Sequence, residues 1–278
     1  MQERVIGSVR ASVGAPARLT AERNELRMAD ATIIAWTDHT FNPWMGCQKV
    51  SAGCAHCYAE RLTRDRMGLT LWGEHGRRQV TSDANWAKPR RWSREAERDG
   101  VRSRVFCASL CDVFEDHPVA ERTRPRLWSL IEETPHLDWQ LLTKRPERIA
   151  ECLPAYWGGG WPNVWLGTSI EDARVAHRAA ELAKVPAVVR FVSYEPALGP
   201  IHDAVDWSGI DWVIVGGESG PGYRPFDLAW ARALRDVARE RDLAFFFKQS
   251  AAYRTEVGIE LDGEIVRAYP EPRTPIAK

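Results

Sequence analysis

Residues 188–225 read VVRFVSYEPALGPIHDAVDWSGIDWVIVGGESGPGYRP. Two apolar runs stand out in this stretch, Val188–Ser193 and Trp212–Gly216, and each stops at a cluster of polar residues and glycines. Short apolar runs without strict alternation suit parallel strands covered on both faces. The same unit recurs on either side, in Thr32–Trp36, Arg104–Leu110, Trp139–Thr143, Val164–Thr168 and Ala244–Lys248. Amphipathic segments fall between the runs, at Pro118–Glu133, Glu171–Lys184 and Leu228–Arg241, the last with Asp227 as its N-cap. Seven strands alternating with helices, and no glycine-rich dinucleotide turn, predict an α/β fold: a parallel (β/α) barrel, partial or full. Near the end, Ile259–Leu261 and Ile265–Arg267 flank Asp262-Gly263, which predicts a small C-terminal β-hairpin. The expected organisation is a disordered or loosely attached extension over 1–27, the barrel over 28–254, and hairpin and tail over 255–278.

The 38 basic and 38 acidic side chains cancel, so net charge gives no support for nucleic-acid or membrane binding, although a local patch remains open. No apolar run approaches the roughly 18 residues of a membrane span, and the N-terminus lacks a signal-peptide core. Six unevenly spaced cysteines do not make a disulfide scaffold, and the expected compartment is the reducing cytoplasm. Most of the thirteen tryptophans are expected in the core.

Three cysteines crowd into CQKVSAGCAHC, residues 47–57. Three thiolates can ligate three irons of a 4Fe–4S cluster. The fourth iron then stays open to the amino and carboxylate groups of S-adenosylmethionine, whose one-electron cleavage yields a 5′-deoxyadenosyl radical. Cys47, Cys54 and Cys57 are the expected metal ligands, and an electron donor is an expected partner. The first gap holds six residues, where radical enzymes usually have three. Structural zinc, with His56 between two of the cysteines, and free thiols are the other readings. Cys107 and Cys111 could add a fourth ligand or a second site, but small buried strand residues explain them as well; Cys152 reads as helix packing.

The stretches WTDHTFNPWMGCQKVSAGCAHCYAER, VFCASLCDVF, LLTKRPERI, NVWLGTSIED, RFVSYEPALGPI, WVIVGGESGPGYRP and FFFKQ, in this order from about Ile34 to Gln249, resemble the three-Cys-motif phage proteins. That family is radical-SAM-like and has no assigned function. The resemblance implies an iron–sulfur site on Cys47, Cys54 and Cys57 and a barrel of radical-SAM type, but no particular substrate.

In a parallel barrel the C-terminal strand ends meet at one mouth. Ser193, Glu195, Gly216, Gly217 and Glu218 are the expected S-adenosylmethionine contacts, the glycines admitting close backbone approach and the carboxylates receiving ammonium or hydroxyl groups. Lys144, Arg145, Arg224 and Lys248 are candidates for holding an anionic substrate, a nucleic acid or nucleotide. Salt bridges to Glu171, Glu195 and Glu218 are the competing explanation of the same cations. The expected function is radical chemistry; the alternative is a non-catalytic DNA- or protein-binding module stapled by iron–sulfur or zinc.

Overall fold

The computed structural model describes residues 32–273. The expected extension over 1–27 and the last five residues lie outside the described residues. Seven strands form one all-parallel sheet: β1 (His39–Phe41), β4 (Ser103–Cys107), β5 (Leu137–Thr143), β6 (Val164–Ser169), β7 (Val189–Tyr194), β8 (Trp212–Gly216) and β9 (Ala244–Gln249). Two further strands, β2 (Trp44–Met45) and β3 (Gln79–Val80), pair antiparallel beside it. Spatial order in the large sheet follows chain order throughout, and β9 does not pair with β1. Crossovers of one hand that always step the same way place the helices on one face, so the sheet is a partial (β/α) barrel, not a closed one.

Side chains alternate along each strand between two apolar clusters. Val105, Leu141, Leu166, Val192, Val213 and Phe247 pack outward with the helices. Phe106, Trp165, Phe191, Trp212, Ile214 and Phe246 pack inward with Trp36. Eleven of the thirteen tryptophans are buried, so packing accounts for most of this composition. Gly167 belongs to the inner packing: a Cβ there would lie 2.3 Å from the Phe191 ring.

One expected strand is corrected. Thr32–Trp36 is not a strand; the chain turns there, with Thr37 N–H donating to the Ile34 carbonyl, and Trp36 enters the inner aromatic cluster. The pairing strand is β1, five residues and more downstream of Ile34, in register with β4 at His39 and Val105. Its length of three residues and its polar His-Thr start left it without an apolar signature.

The expected helix after β4 forms as Pro118–Glu132, and Leu228–Arg241 forms with Asp227 accepting from Ala229 N–H at 2.8 Å. The 171–184 segment breaks into a 3-10 turn at Ala173–Val175 and a short helix at Arg178–Ala183. A further helix, Asp83–Asp99, carries Pro89 in its interior and buries Trp86, Trp92 and Ala96.

The C-terminal hairpin is a single bridged pair, Leu261 with Glu264, around Asp262-Gly263, whose positive φ values of 57° and 82° suit a tight hairpin turn. Its second arm continues along the open edge of β9: Phe247 N–H donates to Val266 O and Ala268 N–H to Phe245 O. Trp212 Nε1 donates to Ala268 O, Tyr269 Oη donates to Ala35 O, and the Arg104 guanidinium sits 3.9 Å over the Tyr269 ring. Arg273 N–H then reaches Val188 O. This strap ties the last strand to the chain before the first one at the end of the barrel opposite the mouth.

Candidate metal and cofactor site

Beyond the aromatic layer the strands end in polar groups, and the cysteine loop is tied to those ends. Gly46 opens the loop at φ 104°, and a Cβ there would lie 2.5 Å from the Leu71 carbonyl oxygen. Residues Ala52–Cys54 form a 3-10 turn, and a short helix, Tyr58–Arg61, starts directly after Cys57.

Two contacts moor the loop to the strand ends. Ser51 Oγ donates to Glu171 Oε1 at 2.8 Å, after β6. His56 Nδ1 lies 3.0 Å from Glu218 Oε2, after β8. Arg224 reinforces the second mooring: its Nε donates to Glu218 at 2.9 Å while its Nη1 donates to Ala52 O at 2.9 Å. Burial would raise the Glu218 carboxyl, but the hydrogen bonds from Arg224 and His56 win and hold it below its ordinary value. Gly53 must be a glycine for the same geometry, because a Cβ would fall 2.4 Å from Glu171 Oε1.

A third attachment grips the first arm of the loop. Arg145, after β5, donates from Nη2 to Gln48 O at 2.9 Å and from Nη1 to Asp112 Oδ2 at 2.8 Å and to Cys47 Sγ at 3.8 Å. Gln48 N–H donates to Glu115 Oε1 at 2.7 Å, and Arg78 forms a two-pronged pair with Glu115 through Nε and Nη2, both at 2.7 Å. These two arginines and two carboxylates are all buried. Burial, with Asp112 and Glu115 adding to it, pushes the Cys47 thiol well up, and Arg145 opposes the shift.

The four cations expected to hold substrate are each paired. Lys144 lies 3.4 Å from Glu171, Lys248 2.5 Å from Glu195, Arg145 2.8 Å from Asp112, and Arg224 is bound to Glu218. The salt-bridge explanation therefore describes three of these contacts by the very carboxylates it names. Arg145 in particular is buried and committed to the Cys47 arm. Of the expected cofactor contacts, Ser193 and Glu218 are buried, and Glu195 carries Lys248. Gly216 faces Glu195, where a Cβ would be 3.3 Å from the carboxyl carbon. Gly217 is explained by packing, since a Cβ there would lie 2.3 Å from Ala251 N.

The donor set suits an iron–sulfur cluster in kind: Cys47, Cys54 and Cys57 are free thiols, each partly accessible, on one loop. Among the described residues, however, no three His, Cys, Asp or Glu side chains converge on one metal position. Cys107 is fully buried in the outer cluster and Cys111 packs against it, as does Cys152 within it. A depression of about 310 Å³ around Arg90, Glu97, Glu133 and His136 lies away from the polar strand ends, and one of about 210 Å³ borders the cysteine loop at His56 and Cys57, with Lys49, Arg61, Arg64 and Pro221 of the loop after β8.

Sequence reasoning missed Ser51, Arg78 and Glu115 as parts of this site, and offered Asp112 only as a polar residue following a strand. Asp112 and Glu115 carried a faint signal, as acids bracketing the apolar pair Val113-Phe114. Arg78 carried none.

Comparison with known proteins places the chain at this point. It belongs to the family described as protein of unknown function DUF5131, which matches residues 31–270. That description mentions neither phage nor the three-cysteine motif. No curated protein matches the sequence. Among solved structures, a spore photoproduct lyase mutant with bound AdoMet and dinucleoside spore photoproduct is 14% identical, with a TM-score of 0.46 over 84% of this chain and 72% of that one. A second, spore photoproduct lyase complexed with dinucleoside spore photoproduct, is 13% identical, with a TM-score of 0.47 over 76% and 63%. Among the described residues no helix is long and apolar enough to cross a membrane.

Proposed function

We propose that this member of the family is a radical S-adenosylmethionine enzyme, with Cys47, Cys54 and Cys57 holding a 4Fe–4S cluster. The observation that carries the reading is the mooring of a three-thiol loop, which follows the first parallel strand, to the C-terminal ends of β6 and β8 by Ser51–Glu171 and His56–Glu218. A parallel barrel builds its chemistry at that end. When bound, the cluster would supply one electron for cleaving the sulfonium. Each thiolate would hold its own iron, so the three sulfurs need not converge on one metal position.

The chain's own groups would orient the cofactor. The Lys248–Glu195 pair offers a cation for its carboxylate and an anion for its ammonium, with Gly216 leaving room beside Glu195. Ser193 and Glu218 are the adjoining candidates, and Gly217 contributes by bringing the β8 and β9 loops together. Nucleic acid or nucleotide is the substrate class we propose, and it is the more demanding part of the reading. Phosphates would have to exchange for Glu171, Glu218 or Glu195 on Lys144, Arg224 and Lys248. The completeness of those ion pairs is what favours the alternative, a metal-stapled binding module without catalysis.

Anaerobic reconstitution with iron and sulfide separates the two. The enzyme reading expects thiolate–iron charge-transfer absorbance and reductive cleavage of S-adenosylmethionine. Stoichiometric zinc without iron after anaerobic purification would count against it. Calorimetry then tests the cofactor contacts: unchanged S-adenosylmethionine affinity in a Glu195→Ala, Glu218→Ala double variant removes those residues from that role.

A further inference from the structure

We propose that Arg145 is the positioning residue of Cys47, fixing that sulfur and holding a permanent positive charge against it. This rests on the iron–sulfur reading above and assigns Arg145 a role other than substrate binding. The geometry is specific to one arm of the loop. The same guanidinium touches Cys47 Sγ at 3.8 Å and the Gln48 carbonyl at 2.9 Å, so it clamps side chain and backbone of consecutive residues together. Glu115 takes the Gln48 N–H, so the peptides on both sides of Gln48 are held. The clamp is itself fixed: Asp112 holds Arg145 Nη1 at 2.8 Å and is held in turn by Thr143 Oγ1 at 2.7 Å and Phe114 N–H at 3.0 Å. Cys54, by contrast, has the Ser51 hydroxyl 3.9 Å from its sulfur and the Lys144 ammonium within electrostatic reach, but no guanidinium that grips sulfur and backbone together.

A planar, always-charged fork can make these contacts at once; a lysine can keep the charge but not the fork. Groups that orient a metal ligand without touching the metal typically account for about 10- to 100-fold in metal affinity. Hydrogen bonds and positive charge at a cluster sulfur also stabilise the reduced, more negative state and so raise its potential. Arg145 therefore does two things for a bound cluster: it presets the Cys47 ligand, and it makes the site easier to reduce by one electron from the donor.

The test uses reconstituted full-length protein, with iron retention against a chelator and the midpoint potential as readouts. Arg145→Gln strands Asp112 as a buried charge and can fail to fold for that reason alone. The deciding variant is therefore Arg145→Gln with Asp112→Asn, which removes both charges together. Its folding is checked by circular dichroism. The expected result in the folded double variant is about 10- to 100-fold weaker iron retention, with a midpoint potential near that of the wild type because a cation and an anion leave together. Arg145→Lys, which keeps the charge without the fork, should leave the potential near the wild-type value and recover only part of the retention, whereas Arg145→Gln alone, where it folds, should shift the potential to more negative values. Unchanged retention in the double variant overturns the inference. A wild-type protein that assembles no cluster overturns the iron–sulfur reading first, and is recognised before any variant is made.

Discussion

At the residue scale the most exacting positions are glycines set against neighbours that cannot yield. At Gly167 the neighbour is the Phe191 ring, locked among Trp36, Trp212 and Phe106. Gly167→Ala should therefore cost about 1–3 kcal/mol by overpacking, read as a lower urea midpoint with unchanged slope. Gly53 tests the loop instead of the core. Its missing Cβ leaves room for Glu171, so Gly53→Ala should break the Ser51–Glu171 contact without unfolding the barrel. Faster proteolytic cleavage within residues 47–57, at unchanged thermal midpoint, is the expected signature. The cysteines themselves should separate cleanly. Any of Cys47→Ala, Cys54→Ala or Cys57→Ala should abolish a stable 4Fe–4S absorbance, and Cys152→Ala, in the outer packing, should preserve it.

At the scale of single elements, β1 depends on one ion pair. Asp38 accepts from Arg104 N–H at 2.8 Å and from its guanidinium at 3.1 and 3.2 Å, joining the start of β1 to β4. Burial alone would raise the Asp38 carboxyl, but the Arg104 bonds outweigh it and lower the value below the ordinary 3.8. A carboxyl depressed on folding stabilises above its unfolded value, and that contribution is lost as pH falls through the folded one. Since the Asp38 side chain is 41% exposed, screening limits the effect to about 1 kcal/mol. Asp38→Asn should thus lower stability modestly at neutral pH, and the difference from wild type should vanish below the ordinary carboxylate range, as measured by urea titrations at several pH values. This strand also marks the limit of what was legible. Strands β4 to β9 carry four or more core side chains in a row or nearly so, and their pattern could be read. Strand β1 has three residues, one fully buried, and its pairing is decided by Asp38 and Arg104, which are 66 residues apart. The helix at Asp83–Asp99 was hidden similarly, because its buried face is Trp, Pro and Ser amid charges. At the site, the strand-end residues could be found because each follows an apolar run. Their partners could not: which carboxylate meets which cation depends on the curl of the sheet, and Arg78 lies on a loop with no pattern at all.

At the scale of the whole molecule, the two ends of the barrel are held by different chemistry. The mouth is held by ion pairs and a moored loop, and the other end by aromatic packing and the strap from Leu261 to Arg273. Deleting residues 255–278 should bare the outer edge of β9 and the underside of Trp212 and Phe246, since Ala268 and Tyr269 cover them. An unpaired edge strand beside exposed aromatics invites self-association. The expected outcome is concentration-dependent oligomers by light scattering, where the full chain gives none from this edge.

The strap also sets a timetable. Each strand of the sheet pairs with the one synthesised before it, so a chain leaving the ribosome can add β4 to β9 one at a time, as the N-terminal parts of a protein are made first. The bond from Tyr269 to Ala35 spans 234 residues and cannot form until Tyr269 has been translated. Until then the newest strand is always an open edge and the aromatic layer has no floor. The nascent barrel is thus exposed from the making of β9 until the strap has been synthesised, and the strap is what ends that exposure.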